Sequence, residues 1–285
     1  MSLQYADIAG VRVPQFLYGT AWKENETQRL TGLALQQGFR GIDTANQRRH
    51  YNEAAAGQAI SDAISRGSVT RDELFLQSKY TFQRGQDNRL PYDPSAPIPI
   101  QVEQSFASSL QQLGTEFIDS FLLHSPAQRV GLAPDDWSAW RAMESLHDSG
   151  RARLLGISNV NLEQLQLLCR DARVKPRFVQ NRCYADQGWD RRIREFCAAN
   201  EIVYQGFSLL TANRVVMQRP EMIEIAEGHG RTVSQIVFRF AIDVGILPLT
   251  GTTDADHMRI DLDVFEFHLD RDEVDRIERL TSPRG

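Results

Sequence analysis

The chain of 285 residues holds only three cysteines, Cys169, Cys183 and Cys197, which form neither a CxxC pair nor an even set. A structural disulfide is therefore not expected, and the thiols read as small apolar fillers of a protein from a reducing cytosol. No stretch approaches the ~18 to 20 apolar residues of a membrane span. The opening residues, MSLQYADIAG, lack the basic and apolar segments of an export signal. No run of five like charges occurs, and 32 basic against 37 acidic side chains leave a net charge of −5. Such a surface repels a phosphate backbone, so neither nucleic acid nor membrane is expected as a partner, and the expected location is cytoplasmic. Lysine is scarce: Lys23, Lys79 and Lys175 are the only ones among the 32 basic residues. An ammonium can do proton chemistry that a guanidinium cannot, which makes each of the three a candidate for chemistry.

Motifs are missing too. No GxGxxG turn follows the first apolar run, which speaks against a doubly wound dinucleotide-binding sheet. The six histidines form no HxxxH or HxH pair, so no metal site is expected, and no GxSxG elbow is present for a serine nucleophile.

What is present is a series of eight short apolar runs: 16–19, 38–43, 74–79, 118–124, 152–158, 177–180, 202–207 and 245–250. Segments of helical period separate them, for example Leu30, Leu33, Ala34 and Gln37, or Trp137, Trp140, Met143 and Leu146. Strand and helix alternating eight times predict a parallel sheet covered by crossover helices, closed as a (β/α)8 barrel in one domain spanning 1–285. YADIAGVRVPQ, turning at Ala9-Gly10, predicts a hairpin that plugs the bottom of that barrel. Asn161 is expected to cap a helix, and Asp135 and Asp136 to precede the one bearing the tryptophans. Residues 81–100, with four prolines, read as one long irregular loop.

Several runs end in polar residues: Asp43, Lys79, His124, Ser158 and Gln180. The C-terminal ends of the strands form the catalytic face of such a barrel. With Tyr51 in the loop after the second run, Asp43, Lys79 and His124 suit protonation of a carbonyl oxygen as hydride arrives. Tyr51 would be the acid, Lys79 the charge that stabilises its phenolate, Asp43 the anchor of that lysine, and His124 a hydrogen-bond donor to the substrate.

The chain resembles the aldo-keto reductases over nearly its whole length. GFRGIDTA (38–45), YNEAAAG (51–57), SKY (78–80), LLHSP (122–126), GISNV (156–160) and PRFVQNRCY (176–184) are similar to that family's strand-end motifs. The resemblance implies a barrel that binds an extended nicotinamide dinucleotide, with Asp43, Tyr51, Lys79 and His124 as the catalytic tetrad. It implies carboxamide contacts from Ser158, Asn159 and Gln180, ring stacking by Phe207, and further cofactor contacts from Gly19, Thr20, Ala21, Ser208, Leu210, Leu249, Thr250, Gly251, Thr252, His257 and Asp261. Trp22, His50 and Tyr80 would line the substrate pocket.

Three departures stand out. The loop ANQRRHY is two residues longer than in the family, so either Tyr51 or His50 takes the acid's place. Tyr51 is the expectation, because Asn52-Glu53 fits the helix start and a phenol is the better acid. Phe207 stands where tyrosine is common. Leu249 and His257 stand where NADP-preferring members carry lysine and arginine, so NADPH is the expected cofactor with NADH also accepted. Phosphate affinity would then rest on Thr250, Thr252 and a titratable His257, with Arg214 or Arg259 as other sources of charge, or the TGTT hydroxyls would merely cap the last barrel helix. The expected activity is reduction of small aldehydes and ketones. A slow redox-sensing dinucleotide binder and a Lys79 Schiff-base lyase remain as alternatives. Substrate identity would be set by loops 81–100, 125–134 and 207–220, and the short TSPRG end suggests an open pocket.

Overall fold

The computed structural model describes residues 4–280. Two short strands, β1 (Tyr5–Ile8) and β2 (Val11–Pro14), form an antiparallel hairpin. Its turn is made by Ala9 and Gly10, both at positive φ (50° and 81°), the combination a two-residue hairpin loop demands.

Eight parallel strands follow: β3 (Leu17–Gly19), β4 (Gly41–Asp43), β5 (Phe75–Tyr80), β6 (Ile118–Leu123), β7 (Ala152–Ser158), β8 (Phe178–Arg182), β9 (Val203–Phe207) and β10 (Ile246–Thr250). They close as a barrel, β10 pairing with both β9 and β3. Each expected run therefore coincides with a strand, β5 running one residue past its expected end and β8 two. Closure follows from composition: strands buried on both faces leave no edge for water, and the crossover helices cover the outside.

The crossovers are α1 (Thr27–Gln37), α2 (Glu53–Ser65), α3 (Ile98–Leu113), α4 (Pro134–Asp148), α5 (Leu162–Asp171) and α6 (Arg191–Ala199). Between β9 and β10 run α7 (Arg214–Met217), α8 (Pro220–His229) and α9 (Val233–Asp243), and α10 (Ala255–Leu262) and α11 (Arg271–Arg279) complete the described chain. Asn161 caps α5, its side chain accepting from the Gln164 amide at 2.9 Å. Asp135 and Asp136 lie inside the first turn of α4 instead of before it, and the Asp136 carboxylate accepts from the Ala127 and Ala133 amides. Gly57 is required where α2 meets α3, because a Cβ there would stand 2.0 Å from the Gln112 carbonyl oxygen.

The irregular stretch is shorter than the sequence suggested, since α3 begins at Ile98 and takes in Pro99 within its first turn, where a missing N–H costs nothing. What remains, 81–97, is pinned by buried Tyr92, whose hydroxyl donates to the Thr81 carbonyl at 2.8 Å, and by Gln86 to the Asn46 carbonyl at 2.7 Å. Cys183 and Cys197 are buried, and burial pushes both thiols up to about 12, consistent with filler roles. No helix among the described residues is long and apolar enough to cross a membrane. The TSPRG end lies outside the described residues.

Along the barrel axis the interior changes character. Val11 and Val13 of the hairpin join Leu17, Phe75, Leu154, Phe178, Leu247 and Leu249 in an apolar plug. Beyond it, buried polar side chains take over: Gln77 and Lys79 from β5, Asp43 from β4, Gln180 from β8 and Gln205 from β9.

Candidate active site

Asp43 and Lys79 meet because β4 and β5 are neighbours with Asp43 in register with Gln77, two residues before Lys79. Period-two alternation puts Gln77 and Lys79 on the same inner face. Lys79 Nζ donates to Asp43 Oδ1 at 2.6 Å and to the Thr44 carbonyl at 2.8 Å, with the lysine fully buried. An ammonium has three protons, so one remains, and Nζ lies 5.3 Å from the centre of the Tyr51 ring. Burial lowers the pKa of Lys79, opposed by the charges of Asp43 and Glu53.

The Tyr51 ring also meets His124 edge-on, centroids 5.9 Å apart. Its phenol is held well above the usual range, first by burial and then by the Asp43 carboxylate. This differs from the expected lowering: the Lys79 charge is engaged by Asp43, and burial keeps the phenol protonated. His124 is pushed down to about 3 by burial, then by the charges of Lys79 and His50, so the ring is neutral. Its Nδ1 lies 2.7 Å from Thr81 Oγ1. When that hydroxyl donates to Nδ1, the ring hydrogen sits on Nε2.

His50, the other candidate acid, is placed differently. Its ring stacks on Trp22 with centroids 3.6 Å apart, and Trp22, 67% exposed, carries the stack at the mouth of the barrel. Tyr80 is a correction. Because Lys79 points inward, alternation sends Tyr80 outward, where it is fully buried against Phe82 and Tyr92 with its hydroxyl toward Gln101 Oε1, away from any substrate pocket.

The expected cofactor contacts fall on the same rim. Ser158 Oγ donates to the Gln180 carbonyl at 2.6 Å, and Asn159 Nδ2 donates to Ser158 Oγ and to the His124 carbonyl. Asn159, Ser208 and Trp22 all have positive φ (55°, 57° and 61°), backbone strain of the kind that gathers at ligand sites. Phe207 is half-buried, with the Arg182 guanidinium 5.6 Å from its ring centre. Leu210 is also half-buried, against the outer core. Thr20 is buried, its hydroxyl donating to the Asp43 carbonyl at 3.0 Å. Gly19 and Ala21 flank it at the end of β3.

The turn after β10 holds two more corrections. Leu249 packs into the interior apolar plug, so no polar side chain at that position reaches a ligand. The TGTT hydroxyls do not cap α10; Asp254 does, accepting from the Asp256 and His257 amides. The Thr250 hydroxyl is committed to buried Asp261 at 2.8 Å, and burial pushes Asp261 up to about 7. Thr252 accepts at its carbonyl from the Tyr18 hydroxyl at 3.0 Å, while His257 is exposed. Arg259 stands 3.7 Å from Asp256. Lys23, one of the three lysines that scarcity singled out, reaches this turn, and its Nζ donates to the Gly251 carbonyl.

Sequence reasoning missed Gln77, Gln205, Glu53 and Thr81. The two glutamines had a signal, a polar residue in the middle of an otherwise apolar run (LFLQSK, IVYQGF). Thr81 and Glu53 had none, because their roles depend on which side chains stand opposite.

A lysine–carboxylate pair beneath a tyrosine and a neutral histidine, at the C-terminal mouth of a (β/α)8 barrel, defines the class of protein to compare. The model of the Aldo/keto reductase family matches residues 16–282. An uncharacterized oxidoreductase of Schizosaccharomyces pombe is 31% identical over 270 residues, 94% of this chain and 88% of that protein. The glyoxal reductase of Bacillus subtilis is 27% identical over 275 residues, 95% of this chain and 90% of that protein. An aldo-keto reductase of Bombyx mori, solved in complex with NADP, superposes with a TM-score of 0.82 at 25% identity, covering 98% of this chain and 93% of that one. The chain belongs to the aldo/keto reductase family and is an oxidoreductase.

Proposed function

We propose that the chain, acting as one catalytic unit, reduces small aldehydes and ketones with a nicotinamide dinucleotide, NADPH above all. The observation that carries this reading is the convergence of Tyr51, Lys79, Asp43 and His124 at one point of the barrel mouth. The residues present suit the cofactor: Phe207 offers a ring face, Ser158, Asn159 and Gln180 offer polar atoms for a carboxamide, and Lys23 supplies positive charge beside the Gly251 turn. When bound, the dinucleotide supplies hydride to the carbonyl carbon. Tyr51 gives its proton to the carbonyl oxygen. The phenolate this leaves gains from the free proton of Lys79, while Asp43 keeps that lysine charged despite its burial. Neutral His124 donates from Nε2 to the same oxygen and orients it. Trp22 and His50 form a wall of the substrate site.

Leu249 is buried and the nearby Asp254 and Asp256 are acidic, so grip on a 2′-phosphate is weak and NADH is also accepted. The Lys79–Asp43 pair stands against a Schiff-base lyase, which needs an unprotonated amine. A spectrophotometric panel of both dinucleotides with aldehydes, ketones and dicarbonyls, glyoxal among them because of the Bacillus relative, tests the reading. Tyr51→Phe is expected to lower turnover by ~10² to 10⁴ with dinucleotide binding retained. Full turnover in Tyr51→Phe with loss in His50→Ala would transfer the acid's role to His50.

A further inference from the structure

Two residues after Tyr51, at the first position of α2, a carboxylic acid is sealed from water outside the tetrad. Glu53 is 2% exposed. Its carboxyl meets two hydroxyls: Ser78 Oγ lies against Oε1, Ser109 Oγ lies 2.8 Å from Oε2, and the two hydroxyls are 3.3 Å from each other. A carboxylate has no proton, so it accepts from both serines and leaves the contact between them without a hydrogen. The neutral acid brings one more proton, and every contact among the three groups becomes a hydrogen bond in a closed ring. Burial favours the same form. It pushes the group up to about 7, against the two serines and the positive charges that face it, Lys79 from β5 and Arg48 from the loop before α2.

Ser78 immediately precedes Lys79 on β5, and period-two alternation turns Ser78 outward to the helices while Lys79 turns into the barrel. Glu53 therefore ties the segment that carries the phenol to the strand that carries the ammonium, and α3 closes the clasp through Ser109. It also acts on Lys79 through space, since the ionised carboxyl favours the charged lysine as Asp43 does. We propose that Glu53 is a positioning residue of the reaction, holding the Tyr51 loop against the Lys79 strand and, once ionised, giving Lys79 a second counter-charge that weakens its support of the Tyr51 phenolate. The inference rests on the reductase reading. Reduction moves the Tyr51 proton to the substrate oxygen and leaves negative charge on the phenol. A second carboxylate beside Lys79 makes that phenol a weaker acid and slows the step.

The test follows kcat and KM for reduction of one aldehyde by NADPH from pH 6 to pH 8 in wild type, Glu53→Gln and Glu53→Leu. Glutamine rebuilds the ring, with Nε2 as donor and Oε1 as acceptor, and never ionises. If the second charge weakens the acid by about one pH unit, kcat of wild type is expected to fall roughly 3- to 10-fold further across this range than kcat of Glu53→Gln. Glu53→Leu has neither ring nor charge and is expected to lose kcat at both ends of the range with KM kept, a loss that glutamine does not share. Infrared difference spectra of the cofactor-free proteins supply a readout that needs no turnover: between pH 6 and pH 8 wild type is expected to lose one more protonated-carboxyl band than Glu53→Gln. Parallel pH profiles, the same infrared change in both proteins, or full kcat in a folded Glu53→Leu overturns the inference and leaves the reductase reading intact. Absence of turnover in wild type at every pH overturns both.

Discussion

Replacing Glu53 with glutamine isolates the cost of one buried charge. Glu53 is the first residue of α2 and is 2% exposed, between the Ser78 and Ser109 hydroxyls, which both donate to its carboxylate. Burial pushes its pKa from 4.5 up to about 7, against the pull of both serines and of Lys79. The folded state therefore holds this proton between pH 4.5 and about 7, where the unfolded chain has released it. Stability from this group is complete below pH 4.5, declines as pH rises through that window, and is gone above it. At about 1.4 kcal/mol per decade of proton affinity, the loss amounts to about 3 kcal/mol. Glutamine matches the protonated acid in shape, with one acceptor and a donor that the serine hydroxyls can receive. Glu53→Gln should therefore equal wild type near pH 4.5 and exceed it by about 3 kcal/mol at pH 8. Urea denaturation of both proteins at several pH values measures the difference directly, since every other titrating group is common to the two. A difference that stays flat between pH 4.5 and 8 would refute the assignment of a proton to Glu53 at neutrality.

Lys79→Met leaves the buried Asp43 carboxylate without its cation and should cost ~3 to 5 kcal/mol in urea denaturation, with Asp43→Asn in the same background restoring part of it. His124 is held neutral, with its pKa at about 3 against the usual 6.5, so its share of stability is complete above pH 6.5 and drains as pH falls toward 3. His124→Gln should flatten that decline, as denaturation midpoints at pH 4 and pH 7 would register. Gly57→Ala puts a methyl 2.0 Å from the Gln112 carbonyl and should lower the melting temperature, at a cost of ~1 to 3 kcal/mol or more. An unchanged melting temperature would mean that α2 and α3 separate without penalty.

Much of this protein is written locally. Eight apolar runs with helical segments between them predict a parallel sheet covered on both faces, and the missing GxGxxG turn favours its closure as a barrel over a doubly wound sheet. The turn at Ala9-Gly10 and the cap at Asn161 each depend on two or three neighbouring residues, and a sequence reading reaches them. The candidate tetrad was visible for the same reason: strand ends share one rim, so polar residues ending successive runs are brought together whatever the details of packing.

Tertiary structure decided what depends on the partner opposite. The resemblance implies a pocket role for Tyr80, yet one residue along a strand from Lys79 is the opposite face, and the side chain is buried against Phe82, Tyr92 and Gln101 of α3. The phenol of Tyr51 and the carboxyl of Glu53 have pKa values set by burial and by charges from other strands, which no local pattern encodes. The three glutamines come from runs 128 residues apart at the extremes, and only barrel closure brings β5 opposite β8 and β9. Sequence by itself determined that polar groups would gather at one end of a barrel. Which hydrogen each donates, and to whom, is a property of the assembled interior, because a hydrogen bond is fixed by the positions of both its partners and a chain specifies only one of them at a time.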